Sequence, residues 1–423
     1  MVIKTNYIIS RKLRTCLILL FLLPLLSGCW SSREIDNLAI INVLGIDQNE
    51  VGEYVISTVI ANQSDPTSTS SANDSKSSGS NSSIIKTATG KSIHEAMGVI
   101  SSSTSKRIYL GHVNNIIFGE NVALKSMEES LDYFRRENDF RPNINVLVTK
   151  GLAADIVKIK PELQTNLGFT IRDIINENRY VPTAMGRDIS QFMKALSSNT
   201  VDPFTTEIGI VNNTEQPVEQ VSPNSSTDKE KKSNQNEKSD IGIKGTAVFK
   251  GGNLAGWLDE RETRGLLWVQ GEVDTGIVVL SCDGEDNGVV SLGIGKSNSK
   301  LIPKISKDKV SMTVSLDVNA EIRSVSCLNL KMDTSQIERL NKRLENLVKQ
   351  EVMSAISKAK DQWQTDIFGF GEVIYRNNPK KWDQMSKQWR TSGLKNMGVQ
   401  VKVTGNISGY GLQEDPIKAN ESR

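Results

Sequence analysis

Two long polar segments divide this 423-residue chain and limit where folded domains can lie. Residues 62–83 contain ten serines and no large apolar side chain, and residues 216–240 are charged, polar and contain proline. Neither segment can bury enough apolar surface to offset the conformational entropy lost on folding. We therefore predict a polar insert at 62–83 and a linker at 211–240. The linker separates an N-terminal region, 29–210, which is one domain or two subdomains, from a C-terminal domain, 241–423.

The first 28 residues predict a lipoprotein signal peptide. Four basic residues precede an apolar run at 16–26, and the run ends in Leu26-Ser27-Gly28-Cys29. A run of 11 residues is typical of a signal peptide, because a membrane-spanning helix needs about 20 residues. Leu-Ser-Gly-Cys resembles the lipobox of bacterial lipoproteins, which implies cleavage after Gly28, a diacylglyceryl thioether on Cys29 and N-acylation. The alternative is a secretory signal that happens to end before a cysteine.

The charge balance of the mature chain argues against nucleic-acid binding. Removing the four basic residues of the leader leaves 47 Lys and Arg against 49 Asp and Glu. A nucleic-acid-binding domain needs a basic excess or a basic stripe. After Cys29 the sequence contains no further long apolar run, so we expect a body that is tethered to a membrane by lipid.

Only two cysteines remain once Cys16 leaves with the leader and Cys29 carries lipid. Cys282 and Cys327 could form a disulfide, which an extracytoplasmic location permits. They could equally be two small buried side chains in neighbouring strands.

The hydrophobic pattern predicts an α+β fold in the N-terminal region, with mixed sheets and packed helices. The predicted strands are 38–46, 54–60, 113–118 and 144–148, and the predicted helices are 91–100, 120–137, 168–176 and 186–196. The first two strands should form a hairpin, and the polar insert should interrupt the end of the second strand.

The C-terminal domain shows a different pattern, typical of an antiparallel sheet covered by one long helix. Strict alternation of apolar and polar residues over 310–322 predicts a strand with one solvated face. Residues 335–360 carry an apolar stripe at helical spacing, which should cover the dry face of that sheet. The other predicted elements are a hairpin at 245–258 and strands at 278–281, 289–294 and 399–405.

Several motifs, in order, resemble those of the Ger(x)C spore germination lipoproteins, and the likeness spans nearly the whole mature chain. The resemblance implies the C subunit of a nutrient germinant receptor, on the outer face of the spore inner membrane beside membrane-integral A and B subunits. The motifs are Cys29-Trp-Ser-Ser-Arg-Glu-Ile-Asp36, Gly90-Lys-Ser-Ile-His-Glu-Ala96, Arg107-Ile-Tyr-Leu-Gly-His112, Arg141-Pro142, Val146-Leu-Val-Thr-Lys-Gly151, Gly245-Thr-Ala-Val-Phe-Lys250, Gly256-Trp-Leu258 and Glu262-Thr-Arg-Gly-Leu-Leu-Trp268.

The sequence offers no catalytic set, no cofactor motif and no metal-ligand spacing. His94 and His112 are the only histidines, and neither is paired with a cysteine at zinc-ligand spacing. Gly295-Lys296-Ser297 lacks the first glycine of a phosphate-binding loop, since position 290 is Val290. We therefore predict a protein that is not an enzyme.

The segment between Trp257 and Trp268 is the best candidate for a partner interface. Asp259 and Glu262 have the spacing of a capping box, and Arg261 and Arg264 are spaced to hold a carboxylate. Tryptophan and arginine dominate binding hot spots, so Trp257, Arg261, Arg264 and Trp268 could contact a partner. The alternative is a short helix whose tryptophans pack inward and whose arginines form ion pairs within the domain.

These observations predict a membrane-anchored receptor subunit that scaffolds and couples its integral membrane partners. The alternative is a solute-binding lipoprotein that itself captures a small nutrient. Such proteins usually have two similar doubly wound lobes, whereas the two halves of this sequence have different patterns. A third possibility is a cell-wall hydrolase, but such an enzyme needs a set of catalytic residues, and the sequence patterns show none.

Overall fold

The computed structural model describes residues 37–61, 83–125, 127–161, 166–177, 186–212, 239–282, 288–306, 309–327 and 333–408. The predicted signal peptide and Cys29 lie outside these residues, as do nearly all of the polar insert and the linker.

The N-terminal region and the first two strands after the linker, β9 and β10, together form a ten-stranded mixed sheet with the order β10-β9-β8-β6-β5-β1-β2-β3, in which β4 pairs with β1 and β7 with β6. The central strands β1, β5, β6 and β8 are parallel, and the strands on either side are antiparallel. The strands are β1 Leu38–Gln48, β2 Tyr54–Ile60, β3 Ile84–Gly90, β4 Arg107–Tyr109, β5 Asn115–Gly119, β6 Asn145–Thr149, β7 Arg187–Asp188, β8 Phe204–Asn212, β9 Ser239–Lys250 and β10 Asn253–Leu258.

Helices cover both faces of this sheet, because its central strands are apolar on both sides. In β1, Leu44 and Ile46 face one core cluster and Val43 faces the other. The predicted helix at 120–137 is two helices, α2 and α3. The helices of this region are α1 Ile93–Ser102, α2 Glu120–Lys125, α3 Glu128–Arg136, α4 Ala153–Val157, α5 Leu167–Glu177 and α6 Ile189–Leu196.

The two polar segments connect neighbouring strands. Ile60 at the end of β2 pairs with Ile84 at the start of β3. The insert therefore joins two neighbouring strands, and the expectation that it interrupts the end of the second strand is wrong. On the far side of the linker, β9 pairs with β8, a strand that the sequence pattern missed. The predicted hairpin, β9 and β10, is confirmed, and it belongs to the first sheet. The domain limits at 211 and 241 stay a prediction.

The second sheet has the order β11-β12-β13-β14. Its first three strands are antiparallel, but β14 is parallel to β13, so the expectation of a purely antiparallel sheet is wrong for the last strand. The reason is that the helices between β13 and β14 return the chain to the end of the sheet where β13 begins. The strands are β11 Gly276–Ser281, β12 Val289–Ile305, β13 Val310–Val325 and β14 Gly398–Ile407.

The predicted long helix covers the dry face of this second sheet. Leu344 and Val348 are fully buried in one cluster with Val314 and Leu316 of β13. The α+β class is therefore confirmed. The helices of the C-terminal half are α7 Glu260–Gln270, α8 Thr334–Ser357, α9 Phe370–Asn377, α10 Pro379–Gln388 and α11 Leu394–Asn396, with π-helical turns at Lys358–Trp363 and Trp389–Gly393.

A disulfide joins Cys282, after β11, to Cys327, after β13, and their Cα atoms are 6.0 Å apart. Of the two possibilities that the sequence left open, the structure has the bridge. It links the outer strand of the second sheet to the end of a central strand 45 residues later.

Candidate functional site

Helix α7 begins where the first sheet ends, and its start is fixed by local sequence. The Asp259 carboxylate accepts a hydrogen bond from the Glu262 backbone N–H, 2.9 Å, and the Glu262 carboxylate accepts one from the Asp259 N–H, 3.0 Å. This is the predicted capping box. The helix ends at Gly271, which has a φ of 72° that favours glycine. The candidate interface segment is therefore the connection from β10 into the C-terminal half.

Two of the four candidate residues, Arg264 and Trp268, are committed to the interior of the chain. The Arg264 guanidinium makes a two-pronged ion pair with Glu351 of α8, with Nε 2.9 Å from Oε2 and Nη2 bonded to Oε1. Trp268 is fully buried and donates from Nε1 to Oε2 of the same carboxylate at 3.0 Å. This arrangement matches the alternative of inward packing, and Trp268 presents no surface to a partner.

A second ion pair ties the same two helices together. The Lys358 ammonium lies 2.6 Å from the Glu262 carboxylate, which also accepts a hydrogen bond from Ser354 Oγ at 3.3 Å. The helix backbones are in direct contact, because a Cβ at Gly265 would overlap the Glu351 carbonyl oxygen. We call Glu262, Arg264, Glu351 and Lys358 the α7–α8 network.

Trp257 and Arg261 remain at the surface. Arg261 is exposed, and it makes no ion pair within the part of the chain that the structure describes. Trp257 is half-buried, with the Lys150 ammonium 4.9 Å from its ring centroid. Lys150 also pairs with Glu207 at 2.9 Å, and burial raises the pKa of the Glu207 carboxyl. The interface prediction therefore stays open for Trp257 and Arg261.

The structure also contains a buried polar cluster that the sequence patterns did not indicate. Asp366 is fully buried, and its carboxylate accepts hydrogen bonds from the Phe370 and Gly371 N–H groups, 3.0 and 2.7 Å, and from Trp389 Nε1, 3.1 Å. Burial nevertheless raises the pKa of Asp366 to about 6. An aspartate directly before the apolar run from Ile367 to Phe370 was the available signal, since a buried acid requires partners.

Asp202, just before β8, completes this cluster. Asp202 and Asp366 exchange hydrogen bonds: the Asp202 N–H donates to the Asp366 carbonyl, and the Asp366 N–H to the Asp202 carboxylate, each at 2.8 Å. Arg390 Nε lies 2.9 Å from the Asp202 carboxylate. Burial raises the pKa of Asp202, and Arg390 opposes that shift. We call Asp202, Asp366, Trp389 and Arg390 the buried junction.

The histidines lie apart from both networks. His94 is near the Tyr133 ring, with centroids 6.2 Å apart, and His112 is near Tyr109 at 5.6 Å. Across the described residues, no group of three or more His, Cys, Asp or Glu is placed to hold a metal ion. Over that same part of the chain, no helix combines the length and apolarity needed to cross a membrane.

Two family models match the chain and together cover most of it. One is described as the spore germination protein N-terminal domain and matches residues 31–210. The other is described as spore germination B3/GerAC like, C-terminal, and matches residues 244–411. The chain belongs to the Ger(x)C family of spore germination proteins.

The relatives of this Ger(x)C chain include three proteins of Bacillus subtilis (strain 168). Spore germination protein KC is 26% identical over 417 residues, covering 96% of this chain and 98% of that protein. Spore germination protein B3 is 22% identical, covering 88% and 91%, and spore germination protein A3 is 24% identical, covering 92% and 95%. The crystal structure of the GerBC protein shares the fold, with a TM-score of 0.54, 18% identity, and coverage of 86% of this chain and 96% of that one.

The two family matches meet at the buried junction of this Ger(x)C chain. Asp202 belongs to the N-terminal match, and Asp366, Trp389 and Arg390 belong to the C-terminal match. Thr200 adds a further link, because its hydroxyl donates to the Glu372 carboxylate at 2.8 Å. The two halves are therefore joined by buried polar contacts as well as by the pairing of β8 with β9 in the first sheet.

Proposed function

We propose that this chain is a lipid-anchored subunit of a spore nutrient germinant receptor, which scaffolds and couples membrane-integral A and B subunits. The observation that carries this proposal is the match of both Ger(x)C family models over nearly the whole mature chain. The Leu26-Ser27-Gly28-Cys29 motif supports attachment to lipid through Cys29 on the outer face of the membrane. A tether raises the effective concentration of partner surfaces, so that weak contacts suffice for assembly.

The coupling role is supported by the way the two halves are connected. The buried junction joins Asp202 of the N-terminal match to Asp366 and Arg390 of the C-terminal match; it is hydrogen-bonded and largely buried, and such networks hold one arrangement of the parts that they join. A partner that displaces one half would therefore displace the other. The exposed Arg261 and the half-buried Trp257 lie on the connection from the first sheet to α7, and we propose them as contacts with the integral subunits.

Lipid attachment is tested by mass spectrometry of the mature amino terminus from native membranes. We expect Cys29 to be the first residue, with a diacylglyceryl group on sulfur and an acyl group on nitrogen. The Cys29→Ala variant should accumulate as a precursor with reduced membrane association, because the thioether has no other acceptor. An unmodified Cys29, or cleavage at another position, would refute the anchor.

The partner contact is tested by charge reversal at Arg261 alone, because reversing Arg264 would break its buried ion pair with Glu351. Arg261→Glu should weaken co-purification with the integral subunits from detergent-solubilised spore membranes. Arg135→Glu is the matched control, since Arg135 is an exposed arginine on helix α3. Circular dichroism should show that both variants are folded. Equal recovery of partners with the two variants would remove Arg261 from the interface.

The solute-binding alternative receives less support, because the ten-stranded and four-stranded sheets differ in topology and are not two similar lobes. Isothermal titration of the protein with amino acids and sugars that trigger germination separates the two functions. A scaffolding subunit gives no saturable heat. A micromolar binding isotherm for one nutrient would favour the solute receptor.

A further inference from the structure

One end of the first sheet carries exposed apolar and basic side chains close to the point where the described chain begins. Strand β2 is antiparallel to both of its neighbours, β1 and β3. The start of β1 at Leu38, the end of β2 at Ile60 and the start of β3 at Ile84 therefore lie at the same end of the sheet. Strand β4 pairs there as well, with Arg107 opposite Leu38. The β1–β2 turn, which contains Val51, lies at the opposite end. We call the end formed by Leu38, Ile60, Ile84 and the residues beside them the tether end.

The tether end is apolar and incompletely covered. Ile84 is 46% exposed and Ile85 is 37% exposed, although both are in a strand. Beside them is a cavity of about 330 Å³, lined on its apolar side by Leu38, Ile60 and Ile84. Successive strand residues point to opposite faces, so Ile84 is on the cavity side with Lys86 and Ile85 is on the other side of the same sheet end. Exposed apolar groups gathered at one end of a sheet are typical of contact with another molecule or a membrane.

Among the described residues that line this cavity, the charged side chains are basic. Lys86 and Lys106 line it, and Arg107 is exposed next to them. Lys86 donates to the Ser103 carbonyl at the end of α1, 3.3 Å, which holds its ammonium at the rim of the cavity. No aspartate or glutamate occurs between residues 96 and 119, which supply that wall of the cavity. Apolar side chains ringed by lysine and arginine match the surface of a membrane that contains anionic phospholipid.

The chain length to the lipid places this end near the membrane. Eight residues lie between Cys29 and Leu38, and the nine residue-to-residue steps reach at most about 32 Å in a fully extended chain. The ten steps of β1 from Leu38 to Gln48 add about 33 Å, so the opposite end of the sheet lies much farther along the chain from the lipid. Among the described elements of this sheet, β1 is the one closest in sequence to Cys29.

The geometry points to the tether end as a membrane-docking surface, in which Ile84 and Ile85 enter the interface while Lys86, Lys106 and Arg107 contact phosphates of anionic phospholipid. The inference rests on the lipid anchor proposed above, because the tether brings this end to the bilayer. It adds that the folded body lies against the membrane in one orientation. The strands of the first sheet would then stand away from the bilayer, with the β1–β2 turn outermost.

Depth-dependent fluorescence quenching tests this orientation on the mature, lipidated chain in phosphatidylglycerol-containing vesicles. A bimane label is placed on Ile84→Cys, or on Val51→Cys as the matched control, since Val51 is an apolar residue that is 80% exposed at the other end of the sheet. In the lipidated chain the label enters only the new cysteine, because Cys282 and Cys327 are bridged and the Cys29 sulfur carries the lipid. Lipids with a quencher in the acyl chain should quench the label at 84 at least about threefold more than the label at 51.

Lys106→Glu in the Ile84→Cys background should lower that ratio, and Lys300→Glu, on strand β12, should leave it unchanged. Equal quenching at 84 and 51 with a lipidated Cys29 would overturn the docking surface and leave the anchor intact. Intact-mass analysis of the same sample that shows no lipid on Cys29 would overturn both proposals. Unchanged quenching at 84 in vesicles of pure phosphatidylcholine would overturn the role of the basic side chains.

Discussion

Replacing Asp366 by asparagine should change how the stability of this protein depends on pH. Burial raises the pKa of Asp366 from 3.8 to about 6, so between these pH values the folded chain holds a proton that the unfolded chain has lost. A group of this kind favours the folded state below pH 3.8, and that contribution is lost as pH rises through about 6. Asparagine is neutral throughout and resembles the protonated acid.

The magnitude follows from the two pKa values. One pKa unit corresponds to about 1.4 kcal/mol, so the whole shift is worth about 3 kcal/mol in unfolding free energy, of which about 2.4 kcal/mol should be lost between pH 4 and pH 7. The difference between the wild-type chain and Asp366→Asn should therefore shift by about that amount in favour of the variant as pH rises. Using the difference cancels the contributions of acids that do not interact with Asp366; Asp202 does interact with it, so a change in the titration of Asp202 is part of the measured difference.

Urea unfolding at pH 4, 5, 6 and 7, followed by tryptophan fluorescence, measures this difference. Trp389 reports on the site directly, because its indole N–H donates to Asp366. Asp333→Asn is the control: the pKa of Asp333 is lowered, mainly by its hydrogen bond from Ser335, so the stability it contributes is lost only below pH 3.8. A wild-type-minus-variant difference that stays constant from pH 4 to pH 7 would refute the reasoning.

Three further predictions concern the C-terminal half. Glu351→Ala should lower the unfolding free energy, measured by urea unfolding, by about 3–5 kcal/mol, because it leaves Arg264 buried without its partner. Adding Arg264→Met to this variant should recover part of the loss. If the losses of the two single variants simply add in the double variant, the pairing is contradicted. Gly265→Ala should destabilise the protein by about 1–3 kcal/mol, because the added Cβ forces α7 away from α8. Gly98→Ala is the control: Gly98 is an exposed position of helix α1 with open space around it, and alanine there should stabilise by about 0.5–1 kcal/mol. Similar thermal midpoints for both variants would argue against the close contact of α7 with α8. Cys282→Ala should cost up to about 4 kcal/mol, since the bridge closes 45 residues of chain, and an unchanged urea midpoint would show that the bridge contributes nothing.

The patterns that the sequence resolved correctly are those set by neighbours along the chain. The capping box of Asp259 and Glu262 spans three residues, and the alternation in β13 and the stripe of α8 depend only on strand and helix periods. The predicted break of a strand by the insert failed for the same reason. The pairing of Ile60 with Ile84 depends on which strands become neighbours in the folded chain, and the local pattern does not contain that information.

The interface prediction shows what a local pattern cannot resolve. Tryptophan and arginine at helical spacing are compatible with a partner surface and with a core, and the sequence left both open. Glu351 decides between them, because it lies 87 residues from Arg264 and holds both Arg264 and Trp268. An acidic residue within the apolar stripe of α8 signals that a buried partner exists, but it does not identify that partner.

By itself, the sequence determined the α+β class, most element types, the capping box and the family resemblance, because each depends on residue types at fixed short spacings. Only the tertiary structure placed the β9–β10 hairpin in the first sheet, made β14 parallel to β13 and joined Asp202 to Asp366 across 164 residues. These features depend on which strands become neighbours. Strand order is settled by burying all apolar faces at once, and no single segment of the chain contains that information.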